Sequence, residues 1–299
     1  MNQGELVRKL DEFFAVSPDD EREKWQRLIP AQALAVYEHF ALPEFFQGTW
    51  NGLMLDFAEE VERVYLIVFP DQAVLDTILA LELERSTEGA LIFAHHPSDF
   101  EESGRGFTGI NEAQVEDLRE HHISYYCCHA PLDQHPEINT AVALAKALKL
   151  RDTQPITTPD GQTDGVHGYA REVNFGQMAE RLAEATELPY IRYNQIRFDA
   201  LPVEHVAVIP GGDPTTRLER ARALGCDTYI TGHWWPIGQY ESAAQQREAL
   251  RAFVPQMPMN LLGASRYASE MVVLRDLLPG WFRSAGVEAR LVRQPDPWR

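Results

Sequence analysis

The spacing of apolar positions divides the chain into helix-like and strand-like segments. Apolar residues recur with a helical period over roughly the first forty positions and again over residues 72–84. Continuous apolar runs at 63–69, 90–94 and 123–128 are typical of buried strands. Strands that alternate with helical segments predict an α/β fold with a mainly parallel sheet and flanking helices.

The same alternation returns in the C-terminal half. Its predicted elements are helices at 177–186 and 215–224, strands at 203–210 and 227–232, and a strand-like MNLLGA that meets a helix beginning near Ser265. This pattern predicts a second α/β lobe.

Residues 151–166 separate the two halves. They are rich in Thr, Pro, Asp and Gly and have no apolar period, which favours a long loop or a boundary. The predicted organisation is an N-terminal helical extension (1–44), a first α/β lobe (45–150), a loop or boundary (151–168), and a second α/β lobe with a C-terminal helix (169–299).

The net charge and the positions of the cysteines indicate which partners and which cellular compartment to expect. The net charge of −18 repels phosphate backbones and anionic lipids, so we expect neither nucleic acid nor a membrane as partner. The N-terminus lacks the order of a signal peptide, and the apolar runs are too short for a bilayer. Cys127 and Cys128 are neighbours and make poor disulfide partners, which favours a reduced, cytoplasmic protein.

Metal-capable side chains follow three of the predicted strands. They are His95 and His96 after 90–94, His129 and Asp133 after 123–128, and His233 after 227–232. In open α/β sheets, ligands collect beyond the carboxyl ends of the strands. Imidazoles and carboxylates are standard ligands of Zn, Mn, Fe and Co, so these positions predict a site for divalent ions.

Two histidine pairs occur in the chain, and their contexts differ. His121 and His122 end a predicted helix, where polar side chains suit the helix dipole, so we interpret them as solvent-facing. Adjacent residues of an extended chain point to opposite sides, so His95 and His96 should not chelate one ion together. Each could serve a different ion, or the two could serve a ligand and its neighbour. This geometry favours two neighbouring ions.

Other interpretations have weaker support. A thiolate at Cys127 or Cys128, close to His129, would be a nucleophile, but adjacent cysteines in an apolar strand are usually packed core residues. The IPGGDPTTR segment at 209–217 lacks phosphate-loop patterns and predicts a tight turn. The chain has no GxSxG elbow, so a serine hydrolase is not supported.

Taken in order, HHP (95–97), HAPLD (129–133), TYITGH (228–233) and YASE (267–270) resemble the motifs of the NGG-one-interacting-factor-three-like (Nif-three-like) family. Bacterial members of that family often carry the name GTP cyclohydrolase I type 2 homolog. The resemblance covers roughly residues 45 to 295. It implies two α/β lobes with a dinuclear metal site between them, a C-terminal helix that returns to this site, and homo-oligomers such as ring-like hexamers.

The resemblance also implies a ligand set. His95 and His96 would bind separate ions, Asp133 would bridge them, and the full implied set is His95, His96, His129, Asp133 and Glu270. The cofactors would be one or two divalent ions, Zn, Mn, Fe or Co.

Arg266 departs from the family pattern, because it occupies a position where the family usually has a histidine ligand. A guanidinium stays protonated and has no lone pair to donate. Three outcomes are open: His233 substitutes as a ligand, one ion binds weakly or not at all, or Arg266 binds a substrate anion.

The function expected from these residues is a metal-dependent hydrolase of a small nucleotide-like or phosphorylated molecule. Asp133 or Glu270 would position a water molecule or accept its proton, although no residue is assigned as catalytic. The alternative is a non-catalytic metal-binding assembly or regulatory protein with a degraded dinuclear site. A cysteine enzyme would instead be inactivated by alkylation and indifferent to chelators.

Overall fold

A computed structural model describes residues 1–15, 21–85, 89–101, 106–194, 201–211, 215–236 and 241–298. Internal contacts divide the chain into two compact units. The first unit comprises Met1–Glu101, Phe107–Leu132 and Leu274–Pro295. The second unit comprises Glu102–Gly106, Asp133–Val273 and Asp296–Arg299.

The α-helices are α1 Gln3–Phe14, α2 Arg22–Leu28, α3 Ala31–Phe40, α4 Gln72–Leu83, α5 Glu112–Glu120, α6 Ala130–Gln134, α7 Thr140–Ala147, α8 Phe175–Ala185, α9 Thr215–Ala223, α10 Glu241–Phe253, α11 Arg266–Asp276 and α12 Leu278–Ala285. A π-helical turn spans Phe45–Thr49, and a 3₁₀ turn spans Val254–Gln256. The helices predicted at 72–84, 177–186 and 215–224 are confirmed as α4, α8 and α9. Among the described residues, no helix combines the length and apolar composition needed to cross a bilayer.

The strands are β1 Gly52–Leu55, β2 Arg63–Ile67, β3 Ala90–Ala94, β4 Asp99–Glu101, β5 Gly106–Thr108, β6 Ile123–Cys127, β7 Arg151–Thr157, β8 Thr163–Val173, β9 Arg192–Asn194, β10 Val203–Ile209, β11 Thr228–Thr231, β12 Asn260–Gly263 and β13 Glu288–Leu291. Strands β4 and β5 form a two-stranded ribbon.

The sheet of the first unit has the order β1-β6-β3-β2-β13. Strands β6, β3, β2 and β13 are parallel, and β1 adds an antiparallel edge. All five residues of β3 are buried, as the continuous apolar run predicts for a central parallel strand. The predicted α/β class is therefore confirmed.

The N-terminal helices share the core of this first unit. Trp25 of α2 and Tyr37 of α3 belong to the same buried apolar cluster as Ile92 of β3 and Tyr125 of β6. The side chain of Trp25 has no exposed surface. Residues outside the predicted first lobe therefore help to build the environment of its strands.

The sheet of the second unit has the order β7-β8-β10-β11-β12-β9. Strands β10, β11 and β12 run parallel to one another, and the β7–β8, β8–β10 and β12–β9 pairings are antiparallel. The interpretation of 151–168 as a loop is wrong, because most of it forms the antiparallel hairpin of β7 and β8. Strand β7 is an edge strand, and six of its seven residues are exposed. The strand is held by backbone hydrogen bonds and its side chains need not be buried. The sequence of β7 therefore lacks the apolar pattern by which a strand is recognised.

The two compact units defined by internal contacts begin and end at residues other than the predicted domain boundaries. Residues Asp133–Leu150 lie with the second unit, and Leu274–Pro295 lie with the first. Strand β13 joins the first sheet by parallel pairing with β2. Two of its four residues are exposed, so its sequence lacks the apolar run of a central strand.

Candidate metal centre

Two adjacent parallel strands of the first unit deliver the histidines. Strand β3 ends at Ala94 and is followed by His95 and His96, whose backbone N–H groups donate to Ile67 O and Val68 O at 3.0 Å each. The neighbouring strand β6 ends at Cys127, two residues before His129. Because carboxyl ends of parallel strands meet at one sheet edge, the three side chains come together there.

The imidazoles of His95, His96 and His129 form one buried cluster. Their ring centroids are separated by 4.5 Å (His95 to His96), 5.0 Å (His95 to His129) and 4.9 Å (His96 to His129). One ligand nitrogen from each ring lies within 4.8 Å of the others. In the part of the chain that the structure describes, this is the single group of three or more ligating side chains that could hold an ion.

The expectation that His95 and His96 point to opposite sides is wrong. Strict alternation applies only while the chain is extended, and the strand has already ended at Ala94. The chain bends at His95, which lets both imidazoles approach the same point.

Buried donors fix the loop that carries the pair. Its three successive carbonyl groups each accept a hydrogen bond from a side chain of the first unit. These bonds are Cys127 Sγ to His95 O at 3.8 Å, Tyr125 OH to His96 O at 2.8 Å and Tyr37 OH to Pro97 O at 2.6 Å. The histidine positions are therefore set by tertiary hydrogen bonds.

The same contacts assign a structural role to Cys127. Burial raises the pKa of its thiol well above the ordinary value, so the thiol stays protonated and donates to the carbonyl of His95. A protonated, buried thiol is a poor nucleophile. The interpretation of Cys127 as a catalytic cysteine therefore loses its support.

His129 is held on two sides by polar partners. Its backbone N–H donates to Asn51 Oδ1 at 2.7 Å, and its ring Nδ1 lies 2.7 Å from Glu21 Oε1. Asn51 Nδ2 also donates to Glu21 Oε2 at 3.0 Å. Asn51 lies in the segment WNGLML at residues 50–55, which therefore links the histidine to the segment before α2.

These partners determine where the protons of two imidazoles lie. Burial lowers the pKa of His129 to about 4, so its ring is neutral near pH 7. A carboxylate accepts hydrogen bonds, so Nδ1 of His129 carries the proton and Nε2 carries the lone pair. His95 Nδ1 likewise lies 3.0 Å from the carbonyl oxygen of Cys128, which assigns the lone pair of His95 to Nε2.

Glu21 stays ionised beside this ring. Burial by itself would raise the pKa of Glu21, but His129 and the ammonium of Lys24 outweigh it and hold the pKa below its usual range. A charged acceptor next to a neutral imidazole is the arrangement found behind metal-binding histidines in many proteins.

The cluster fits a divalent transition ion. Tetrahedral coordination at about 2.0 Å places ligand nitrogens roughly 3.3 Å apart, and the three ligand nitrogens of the cluster lie within 4.8 Å of one another. The three rings are buried, and two of them direct Nδ1 to an oxygen. His95, His96 and His129 would therefore hold the ion.

Aromatic side chains enclose the cluster. Trp25 of α2 meets His129 edge-on at 5.0 Å and His96 at 5.8 Å, and Phe69 stacks on His96 at 4.5 Å.

Sequence reasoning missed Glu21 and Trp25. Glu21 belongs to a run of charged residues that is typical of a solvated surface. The sequence feature that could have indicated a buried segment here is the large side chain of Trp25, one helical turn later.

Asp133 and Glu270 lie in the second unit and remain predicted ligands. Asp133 is half-buried in α6 and accepts a hydrogen bond from Thr140 Oγ1 at 2.7 Å. Glu270 is buried in α11, and its Oε1 lies 3.3 Å from Nε of Arg266 one helical turn earlier. A carboxylate in contact with a guanidinium has less negative charge to offer a metal ion.

His233 lies two residues after the end of β11 and is buried, and its backbone N–H donates to Gly211 O at 3.1 Å. The backbone approaches closely here, because a Cβ atom on Gly232 would lie 2.6 Å from Gly211 O. His233 as a ligand stays an untested alternative. The predicted turn at 209–217 includes residues 212–214, which lie outside the described residues.

The second histidine pair behaves as predicted. His121 caps the C-terminus of α5, and its Nδ1 lies 2.8 Å from the carbonyl oxygen of Asp117. His122 is exposed.

Comparisons with known proteins agree with the observed fold. A family model described as Duf34/NIF3 (NGG1p interacting factor 3) matches residues 31–277. A Pyrococcus horikoshii protein named GTP cyclohydrolase 1 type 2 homolog is 26% identical over 301 residues, covering 99% of this chain and 99% of the relative.

Two solved structures are similar over their whole length. Protein ybgI, described as of unknown function, has 21% identity and a TM-score of 0.67, covering 99% of this chain and 100% of its own. A Bacillus cereus protein related to NIF3 has 14% identity and a TM-score of 0.62, covering 100% of this chain and 99% of its own. These two likenesses concern the fold.

Proposed function

This chain belongs to the Duf34/NIF3 family, and we propose that it is a metal-binding protein whose histidine cluster holds one divalent ion. The observation that carries the proposal is the convergence of three buried imidazoles, His95, His96 and His129. An imidazole in its neutral form has a lone pair that a metal ion can accept. Zn, Mn, Fe and Co all accept such ligands.

The proposed activity is hydrolysis of a small nucleotide-like or phosphorylated molecule. The ion would supply Lewis acidity and lower the pKa of a bound water. Trp25 and Phe69 would limit water around the cluster, and Lys24 would provide a cation for an anionic substrate. The name GTP cyclohydrolase 1 type 2 homolog, carried by relatives, supports a nucleotide-like substrate.

The proposal extends to partners and location. The net charge of −18 disfavours nucleic acid and anionic membranes as partners, and the family resemblance favours a homo-oligomer such as a hexamer. The three cysteines are buried and free of disulfides, in keeping with a cytoplasmic protein.

Metal uptake by the wild-type protein tests the proposal. Protein stripped with a chelator should take up one Zn²⁺ or Co²⁺ per chain in a titration at pH 7, because three buried imidazoles lie together. Bound Co²⁺ should show the visible absorption of a nitrogen-ligated ion. A stripped protein that folds normally and takes up no divalent metal would sink the proposal.

The number of ions should change when Arg266 is replaced by histidine. Arg266→His removes a fixed positive charge beside Glu270 and places an imidazole one turn away from that carboxylate. We expect bound Co²⁺ to rise from one toward two ions per chain, measured by elemental analysis after dialysis. Arg275→His, on the same helix, is the matched control and should leave the stoichiometry unchanged.

The Arg266–Glu270 contact also favours a second candidate function, a non-catalytic metal-binding protein. Both the wild-type protein and Arg266→His would then stay inactive in a broad hydrolase screen, even where the variant binds more metal. Chelator-sensitive hydrolysis by the wild-type protein would exclude this second function.

A further inference from the structure

The carboxylate of Glu21 is held firmly against His129. Besides the contact with His129 Nδ1, Glu21 accepts hydrogen bonds from Asn51 Nδ2 and from the backbone N–H of Ala130 at 3.1 Å. Lys24 Nζ lies 2.8 Å from Glu21 Oε1. The Glu21 side chain is 11% exposed, so these partners replace most of its water.

We infer that Glu21 is a positioning residue for His129, which it turns into a metal ligand by keeping the ring proton on Nδ1. The lone pair of His129 then stays on Nε2, the nitrogen left to bind the ion. A carboxylate behind an imidazole also raises the basicity of the ligand. This inference rests on the proposed metal-binding function and adds a residue to it.

Two other roles for these groups fit the geometry less well. Lys24 Nζ lies 3.5 Å from His129 Nδ1, but an ammonium can only donate and cannot accept the ring proton. The shorter contact of 2.7 Å to Glu21 therefore receives that proton. Glu21 is also a poor candidate for a direct ligand, because both of its oxygens already accept hydrogen bonds.

The segment that carries Glu21 lies before the part of the chain that the family model matches, which begins at residue 31. Glu21 immediately precedes α2, and Trp25 on that helix is fully buried against His96 and His129. Burial of Trp25 anchors the helix, and the anchored helix sets the position of Glu21. The positioning carboxylate thus comes from outside the matched segment.

Glu21→Gln tests the inference, because it removes the charge and keeps the size of the side chain. We expect the variant to bind Zn²⁺ about 10- to 100-fold more weakly than the wild-type protein, measured by competition with a chromophoric chelator. Glu23→Gln makes the same change at an exposed position of α2 and should bind like the wild-type protein. Glu21→Asp keeps the charge and should lose less affinity than Glu21→Gln.

Imidazole ¹⁵N NMR of the metal-free protein gives a second, independent measurement. The wild-type protein should show His129 protonated on Nδ1, with the signal assigned through a His129→Gln variant. Glu21→Gln should shift His129 toward the Nε2-protonated form, whereas Glu21→Asp should retain the wild-type form. A merely structural role of Glu21 would leave this tautomer unchanged.

The two measurements separate the possible failures. A wild-type His129 protonated on Nε2 overturns the inference, even if Glu21→Gln does not fold. Wild-type affinity in a folded Glu21→Gln protein also overturns it. If the wild-type protein binds no metal, the proposed function fails, and the NMR result still decides whether Glu21 sets the proton of His129.

Discussion

His95→Ala should bind Zn²⁺ at least about 100-fold more weakly than the wild-type protein, because it removes one of the three imidazoles that cluster among the residues the structure describes. By the ordinary relation of affinity to free energy, this loss corresponds to about 2.7 kcal/mol. The measurement is a chelator competition at pH 7 on stripped protein. His95 Nδ1 contacts a backbone carbonyl, so the fold of the variant is checked by circular dichroism.

Three further variants control this result. His121→Ala removes an imidazole from a helix end outside the cluster and should leave affinity unchanged. His95→Gln retains polar volume and should still lose the metal. Asp133→Ala tests the predicted carboxylate ligand in the same assay, where a loss of affinity would add Asp133 to the three imidazoles and wild-type affinity would remove it from the predicted ligands. Full affinity in a folded His95→Ala protein would contradict the assignment of His95 as a ligand.

Glu82→Ala should destabilise the first unit by about 1.5 to 3 kcal/mol, because it leaves the half-buried guanidinium of Arg63 without the carboxylate that accepts its hydrogen bonds. Arg63 contacts Glu82 through Nε at 2.6 Å and Nη2 at 2.9 Å, and Tyr65 OH donates to the same carboxylate. The side chains of Glu82 and Arg63 are 4% and 11% exposed. Their hydrogen bond raises the pKa of Arg63, and burial raises the pKa of Tyr65 to about 12.

Hydrogen exchange of the β2 and β3 amides measures this loss within the first unit. Glu62→Ala is the matched control, because Glu62 lies 3.4 Å from Arg63 Nη1 but is 46% exposed. That control should change the opening free energy by less than about 0.5 kcal/mol. If the two variants destabilise β2 equally, Glu82 is not the residue that neutralises Arg63.

The central strands and the positions of the histidines could be predicted from the sequence. A parallel strand covered on both faces needs a continuous apolar run, and ALIFA and ISYYC have one. Polar residues directly after such runs must emerge at the sheet edge. The prediction that His95, His96 and His129 lie at the carboxyl edge of this sheet therefore required no tertiary information.

Segments stabilised by backbone pairing alone could not be predicted in this way. Strand β7 is almost wholly exposed, and β13 alternates between exposed and half-buried residues, so neither has an apolar run. Their strand conformation depends on hydrogen bonds to partners elsewhere in the chain. A reading of local periodicity therefore misses both.

The sequence by itself determined which central strands are buried and which side chains follow them, because the order of apolar residues along the chain indicates both the burial and the period of a strand. The tertiary structure decided that His95 and His96 converge, through a bend fixed by Tyr125 and Tyr37. It also decided that Glu21 lies next to His129, 108 residues away in the chain. A charged residue is expected at the surface from the sequence, and only the packing of the following helix places Glu21 beside this histidine.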